Sequence, residues 1–241
     1  MSGPNDRIIG PKNFIVSPRD YIIMRFKDRV DAGKKLASAL TKYKGEQAII
    51  FALPRGGVVL GYEIAKELAV PLDLVITRKI GYPGQEEYAI GAVAEDGHTI
   101  CDPSAVALID HNWLDAQIEK GMLEAKRRRE VYLHGREPLP VNGKVAIIVD
   151  DGIATGLTIS LAIKEIKHRH PEKIVVAVPV SSKEAAMRIS AEVDDFIALY
   201  VPAYFMAVGE HYEKFSQIDD EEVIELIALS SDRQNRETYS S

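Results

Sequence analysis

Apolar residues fall along this chain in short unbroken runs, separated by longer stretches whose apolar positions recur three and four apart. The unbroken runs are QAIIFALP, LDLVITRK, KVAIIVDD, KIVVAVPV and DFIALYVP. Runs of this length without polar alternation are the pattern of strands buried on both faces. The helical patterns between them are GGVVLGYEIAKELAV, GLTISLAIKEIKHRH and SKEAAMRISAEV. Another, DYIIMRFKDRVDAGKKLASALTKYK, precedes the first strand, and a last helix is expected near DDEEVIELIALS. Strands alternating with helices predict an α/β fold, a central and mostly parallel sheet flanked by helices.

Three regions depart from that alternation. The first 18 residues are polar and broken by Pro4, Pro11 and Pro18, which predicts a mobile arm over 1–18. The stretch IGYPGQEEYAIG, with Gly81 and Gly84 around Pro83, has the chemistry of a loop. The segment from Asp102 to Glu137 is too long for a plain crossover and predicts an inserted element of one or two helices over 103–137. A single domain is expected over 19–229, with a polar tail over 230–241.

Composition narrows the class. A chain of 241 residues, 46% hydrophobic and 27% charged, is ordinary globular material with enough length to bury a core. A formal net charge of −6 disfavours general attraction to nucleic acid or to an anionic membrane surface. The one cysteine, Cys101, allows no internal disulfide and suits a reducing compartment. No apolar run approaches the roughly 20 residues of a membrane span, and the N-terminus lacks the apolar core of a signal peptide. A cytoplasmic protein without membrane or nucleic-acid partners is the expectation.

The stretch IIVDDGIATGLTI, residues 147–159, carries the chemistry. A buried strand ends on Asp150 and Asp151, then a turn of small residues leads into a helix. In parallel sheets, ligands bind beyond the carboxyl ends of strands, where helix N-termini point. The unpaired N–H groups of a helix start hold a phosphate well, and Gly152, Ala154 and Gly156 let an anion reach the backbone. Thr155 and Thr158 add hydroxyl donors. The carboxylates would repel that phosphate, so they suit hydroxyl groups beside it, such as the diol of a ribose. A simple helix cap would need only one aspartate. No Gly-Lys-Ser/Thr follows, which disfavours a Walker-type loop.

At VDDGIATGLT the chain resembles the ribose-phosphate loop of the type I phosphoribosyltransferases, which bind phosphoribosyl pyrophosphate (PRPP). Gly152 departs from the aliphatic residue usual there and is expected to loosen the turn. ALPRGG, residues 52–57, is similar to the pyrophosphate loop of that family, and TRKIGYPGQEEYAIG, residues 77–91, to the mobile lid of its adenine-type members. The resemblance implies that Asp150 and Asp151 hold the ribose hydroxyls. Ile153, Ala154, Thr155, Gly156, Leu157 and Thr158 would hold the 5-phosphate. Pro54, Arg55, Gly56 and Gly57 would take the pyrophosphate, and Arg78 and Lys79 would act as catalytic cations from the lid. It also implies magnesium arriving with PRPP, no metal held directly by the protein, an acceptor base as second substrate, and a homo-oligomer, a dimer.

The acceptor side is less uniform. Ala154 stands where hypoxanthine-guanine enzymes place an aspartate base. Residues 194–215 resemble the base-binding hood of that group, with Phe205 as the stacking aromatic and Val193 in place of the lysine that reads a 6-oxo group. That pattern disfavours 6-oxopurines; efficient use of them would mean that the Val193 and Ala154 correspondences are misaligned and that another residue, such as Glu86 or Glu87 of the lid, supplies the base. EAKRRREVYLHGRE in the insertion reads as a solvated helix with Glu and Arg four apart, such as Glu124 with Arg128. Its alternative is a basic patch for an anionic partner. Two functions compete: a phosphoribosyltransferase, and a PRPP-binding regulator without transferase activity.

Overall fold

The computed structural model describes residues 8–9, 15–16 and 25–238. Strands β1 (Ile8–Ile9) and β2 (Ile15–Val16) pair antiparallel; the rest of the expected arm lies outside the described residues. Helix α1 spans Arg29–Ala39, and Asp28 caps it by accepting from the Asp31 amide. The core then alternates: β3 (Ala48–Ala52), α2 (Gly56–Leu68), β4 (Leu72–Leu74). A second sheet follows, made of β5 (Thr77–Tyr82), β6 (Gln85–Ala94) and β7 (Thr99–Cys101). Two helices come next, α3 (Pro103–Val106) and α4 (His111–Leu133). The chain returns with β8 (Val145–Val149), α5 (Leu157–Lys167), β9 (Lys173–Val180), α6 (Lys183–Glu192), β10 (Asp195–Tyr200) and α7 (Asp220–Thr238).

The central sheet is five-stranded and wholly parallel, in the order β10-β9-β8-β3-β4. Its apolar runs bury alternate residues on opposite faces, as a pleat requires. Ile50, Ile147 and Val149 point toward α1, α2 and α7, whereas Ile49, Phe51 and Ile148 point toward α5 and α6. Both faces are covered, which is why the strands are continuously apolar. From β3 the chain moves outward to β4, and from β8 it moves the other way to β9. The order therefore reverses between β3 and β8, where a crevice opens beyond the strand ends.

The expected elements form with two corrections. The stretch read as a loop over 80–91 is an antiparallel hairpin, and β7 extends it to three strands. Ile80, Ile90 and Val93 pack with Leu114 of α4, with a register shift beside Ile80 leaving Ile90 outside the ladder, and Pro83-Gly84 supplies the punctuation at the tip, where Gly84 has φ +76°. Residues 230–238, expected as tail, continue α7, because Val223, Ile227 and Ser230 keep a buried helical stripe. The insertion over 103–137 becomes α3 and α4. Of the hood over 194–215, residues 195–200 belong to the central sheet, and the remainder returns to pair with Phe26 through Tyr212. No helix among the described residues is long and apolar enough to cross a membrane.

A buried ionic cluster joins the layers. Asp73 of β4 is fully buried and accepts from the Leu139 amide at 2.7 Å and Arg136 at 3.5 Å. Arg129 of α4 donates to Glu95 at the end of β6 at 2.8 Å and stands 3.6 Å from Asp73. Arg169 reaches Glu95 at 4.0 Å and is paired with Glu165 of α5. Burial pushes the Glu165 carboxyl up to about 7 against the pull of Arg169, with Glu95 and Asp96 adding repulsion. Unfolded, the group ionises near 4.5, so the folded state holds the proton longer. Its stabilising contribution is full below about 4.5 and is lost as pH rises through about 7. Denaturation in urea at a series of pH values should therefore show wild type losing stability relative to Glu165→Gln between about pH 5 and about pH 7. A difference that stays flat across that window would mean Glu165 is ionised throughout.

Candidate functional site

Register places two turns side by side. Ala52, the last residue of β3, pairs with Val149, the last of β8. Leu53-Pro54-Arg55 therefore leaves the sheet next to Asp150-Asp151, and the Pro54–Arg55 peptide is cis. The turns are in such close contact that glycine is required between them. A Cβ on Gly56 would lie 1.9 Å from Asp151 Oδ2, and one on Gly57 would lie 2.8 Å from the Val149 carbonyl. Gly57 thus has a packing role behind the site, where the sequence suggested a pyrophosphate contact.

Arg29 of α1 holds the carboxylate pair. Its Nε and Nη2 both donate to Asp151 Oδ2 at 2.8 Å, while Nη1 donates to the Ser216 carbonyl at 2.6 Å. The Phe215 ring covers the guanidinium, 3.9 Å from ring centroid to Cζ. Asp150 Oδ1 accepts from the Asp151 amide at 2.8 Å, and the Tyr212 hydroxyl donates to the Asp151 carbonyl at 2.6 Å. Burial raises both carboxyls above their ordinary range; the Asp151 charge adds to the rise at Asp150, and Arg29 opposes it at Asp151. Lys79 of the hairpin also draws both carboxyls down, and the pair's remaining oxygens face the cavity, where they suit hydroxyl donors.

The turn after Asp151 is anchored from behind. Ile153 is buried and exchanges backbone hydrogen bonds with the end of β9, its amide donating to Val180 O and its carbonyl accepting from Ser182, both at 2.9 Å. Ser182 Oγ donates to the Ala154 carbonyl at 2.7 Å, and Arg188 donates to that of Thr155. With those carbonyls held, Ala154 and Thr155 remain exposed. Gly156 begins α5 at φ +75°, a conformation that favours glycine. Gly152 has a reason the sequence did not reveal: a Cβ there would meet Val208 Cγ1 at 2.5 Å. The glycine admits the returning hood segment and does not merely loosen the turn.

The helix starts differ in how they are capped. Side chains cap α1, α4 and α6, through Asp28, Asp110 and Ser182. Neither α2 nor α5 has a side-chain cap, and these two start at the crevice. At α5 the first-turn amides are left for an anion, whereas at α2 the Gly57 and Val58 amides already donate to the Leu53 and Arg55 carbonyls at 3.1 Å, and Arg55 brings the positive charge.

A cavity of about 950 Å³ unites these parts. Pro54, Arg55 and Gly56 form one wall, Asp150 to Gly156 with Thr158 a second, and Thr77 to Gly84 of the hairpin a third, bringing in Arg78 and Lys79. Leu157 and Phe205 are absent from the lining. Phe205 stacks on His211 with centroids 5.6 Å apart, while Val208 of the same segment reaches the cavity. Val193 is buried just before β10, because α6 runs back from the site to the opposite end of the sheet. It cannot read an acceptor, so the argument against 6-oxopurines falls. The side chains of Glu86 and Glu87 lie outside the described residues. The fourth wall is the helical insertion: Trp113, Gln117, Lys120, Gly121, Glu124 and Arg128 occupy one face of α4.

The phosphoribosyl transferase domain model matches residues 23–202, three quarters of the chain and the whole of this cavity's central part. The chain belongs to the phosphoribosyl transferase family. It is similar to two Mycobacterium tuberculosis proteins, Rv0571c of strain H37Rv and MT0597 of strain CDC 1551, each 40% identical over 201 residues. Both carry the name phosphoribosyl transferase provisionally. The alignment covers 83% of this chain but 45% of those proteins, so the chain spans about half the length of these curated relatives. Among solved structures, TT1426 from Thermus thermophilus superposes with a TM-score of 0.72 at 39% identity, covering 85% of this chain and 98% of that one.

Within this phosphoribosyl transferase domain, sequence reasoning missed Arg29 and the α4 wall. An arginine directly after a helix cap, far from any motif, gives no local signal. Breaking a buried pair strands the remaining charge, so Arg29→Ala should lower the unfolding free energy by about 3 kcal/mol. Adding Asp151→Asn should recover part of that loss. A loss below about 1 kcal/mol in urea would place the pair among exposed ones.

Proposed function

We propose that this protein transfers ribose-5-phosphate from PRPP to a nitrogen nucleophile and releases pyrophosphate. The observation that carries this reading is one cavity in which the open start of α5 and Arg55 at the start of α2 stand on either side of a half-buried carboxylate pair. The spacing suits one ligand with two phosphate ends and a diol between them. The α5 turn takes the 5-phosphate, Asp150 and Asp151 accept from the ribose hydroxyls, and the α2 start with Arg55 receives the pyrophosphate. In the reaction the anomeric C–O bond breaks and its electron pair leaves with pyrophosphate. The acceptor nitrogen forms the new C–N bond and gives up a proton to solvent or a base. The protein's part is to orient both reactants and to stabilise the departing charge with Arg55, Arg78 and Lys79.

Magnesium fits this arrangement. Asp150 and Asp151 are hard oxygen donors on the cavity wall. The ion would travel with the pyrophosphate and neutralise it. Glu124 also faces the cavity, but Arg127 and Arg128 hold its carboxyl down at about 2, which makes it a poor base.

The direct test is PRPP with magnesium and a panel of nucleobases and amines, followed by pyrophosphate release. Turnover with at least one acceptor is expected. Tight binding with no release for any acceptor would leave a PRPP-responsive regulator, and no binding of PRPP at millimolar concentration would end the reading. Replacing both Asp150 and Asp151 by Asn should weaken PRPP binding by roughly 1.5–3 kcal/mol for each charge-assisted hydrogen bond, in a protein that still folds. Unchanged affinity would reduce the pair to a structural role.

The hairpin cations predict a different signature. Arg78→Ala with Lys79→Ala should lower kcat more than the affinity for PRPP, because they act where charge develops on the leaving group. Equal losses in binding, with kcat unchanged at saturation, would contradict that role.

A further inference from the structure

The insertion was the segment whose charge run suggested a solvated helix, and half of that expectation holds. Glu124 accepts from Arg127 at 2.8 Å and from Arg128 at 2.9 Å, one turn of helix away. The two arginines differ in what else they face. Arg127 is 56% exposed, whereas Arg128 is 20% exposed and lines the cavity. Helix α4 lies this close to the hairpin because of Gly121: a Cβ there would meet Val93 Cγ1 at 2.5 Å. The same contact sets Lys120 and Arg128 along the cavity wall.

Three guanidinium groups from three separate segments converge there: Arg55 from the turn after β3, Arg78 from β5 and Arg128 from α4. The Arg78 side chain has no hydrogen bond or ion pair among the described residues, and that of Arg55 has only Asp220 at 3.5 Å. Asp220 is itself engaged by the Tyr132 hydroxyl at 2.6 Å. Burial, then the charge of Arg128 and to a lesser extent that of Arg55, depress the proton affinity of Arg78 against the pull of Glu124 and Tyr132, so the groups sense one another. Like charges gathered in a partly buried wall with few counter-ions call for an anion.

We propose that the helical insertion supplies part of the pyrophosphate subsite, with Arg128 and, two turns earlier, Lys120 closing around the anion opposite Arg55 and Arg78. This rests on the transferase reading above and extends it to a segment outside the three loops. The same cations would attract the pyrophosphate moiety of PRPP and the free product alike. The 5-phosphate, held at the α5 start, should not depend on them.

Calorimetry on the intact chain separates these possibilities, with magnesium pyrophosphate as one probe and ribose-5-phosphate as the other. Arg128→Gln should weaken pyrophosphate binding roughly tenfold to a hundredfold, the range of a lost charge-assisted contact. Lys120→Gln, at an exposed position that should not disturb folding, should weaken it several-fold. Both variants should keep ribose-5-phosphate affinity within about twofold of wild type. Arg127→Gln, which removes a charge from the same helix and the same Glu124 partner but faces outward, should leave both probes unchanged. Wild-type affinity for pyrophosphate in both Arg128→Gln and Lys120→Gln would overturn the inference, as would an equal loss in Arg127→Gln. Those results would leave the transferase reading standing. Failure of the wild-type protein to bind either probe would remove both.

Discussion

Two turns meet at the centre of this molecule at a distance only glycine allows. The Asp151 carboxylate occupies space that any side chain at residue 56 would fill. Around that contact the fold assembles what a buried carboxylate needs: the Arg29 guanidinium, a covering Phe215 ring, and Tyr212 on the backbone carbonyl. Register makes the contact possible, since β3 and β8 end level with one another at the point where strand order reverses. A slip of one residue would turn Ile50 and Ile147 to the wrong face and separate the turns. Core packing and site geometry are therefore one constraint, set by the alternation within the apolar runs.

The second sheet and the insertion depend on a different interaction. Asp73, Glu95, Arg129, Arg136, Glu165 and Arg169 bind β4, β6, α4 and α5 into one unit. Several of their buried atoms, including Glu95 Oε2 and Arg129 Nη2, lack a direct protein partner. Such a cluster gives little net stability over an apolar core of the same shape, but it is selective about geometry. Here that selectivity fixes the hairpin and α4 relative to the central sheet, and so fixes the two cavity walls that carry Arg78 and Arg128.

The central sheet was legible because burial on both faces leaves a direct mark, a strand without polar residues. The carboxylate pair and the small residues after it were legible for a related reason: a turn whose backbone stays open to the cavity demands small side chains, and these stand together in sequence. The hairpin was hidden because Gly81, Pro83 and Gly84 mark both a turn and a loop, while its strands pack on two helices far away in sequence, Ile90 and Val93 on α4 and Ala92 and Ala94 on Leu161 of α5. Gly152 misled because its neighbour Val208 comes from a segment 56 positions away, which no local pattern records. Val193 misled through alignment of an apolar context; helix direction, which puts it at the far end of the sheet, decides the matter. Phe205 lies in the expected segment, yet its ring turns to His211.

The charge layout of the cavity gives these pieces a common logic. One wall holds Asp150 and Asp151 with Arg29 behind them; the facing walls hold Arg55, Arg78, Lys79, Lys120 and Arg128, with Glu124 already committed to Arg127 and Arg128. Opposite charges kept apart across about 950 Å³ of cavity cannot neutralise one another directly. They are held apart by the two sheets and the ionic cluster between them. A ligand that presents hydroxyls or a metal ion to the acids and phosphates to the arginines would satisfy both walls at once. The free protein carries the electrostatic cost of that separation, and the ligand removes it. On the transferase reading proposed above, such preorganisation would favour the state with the most charge at the pyrophosphate end, in which the anomeric C–O bond is breaking.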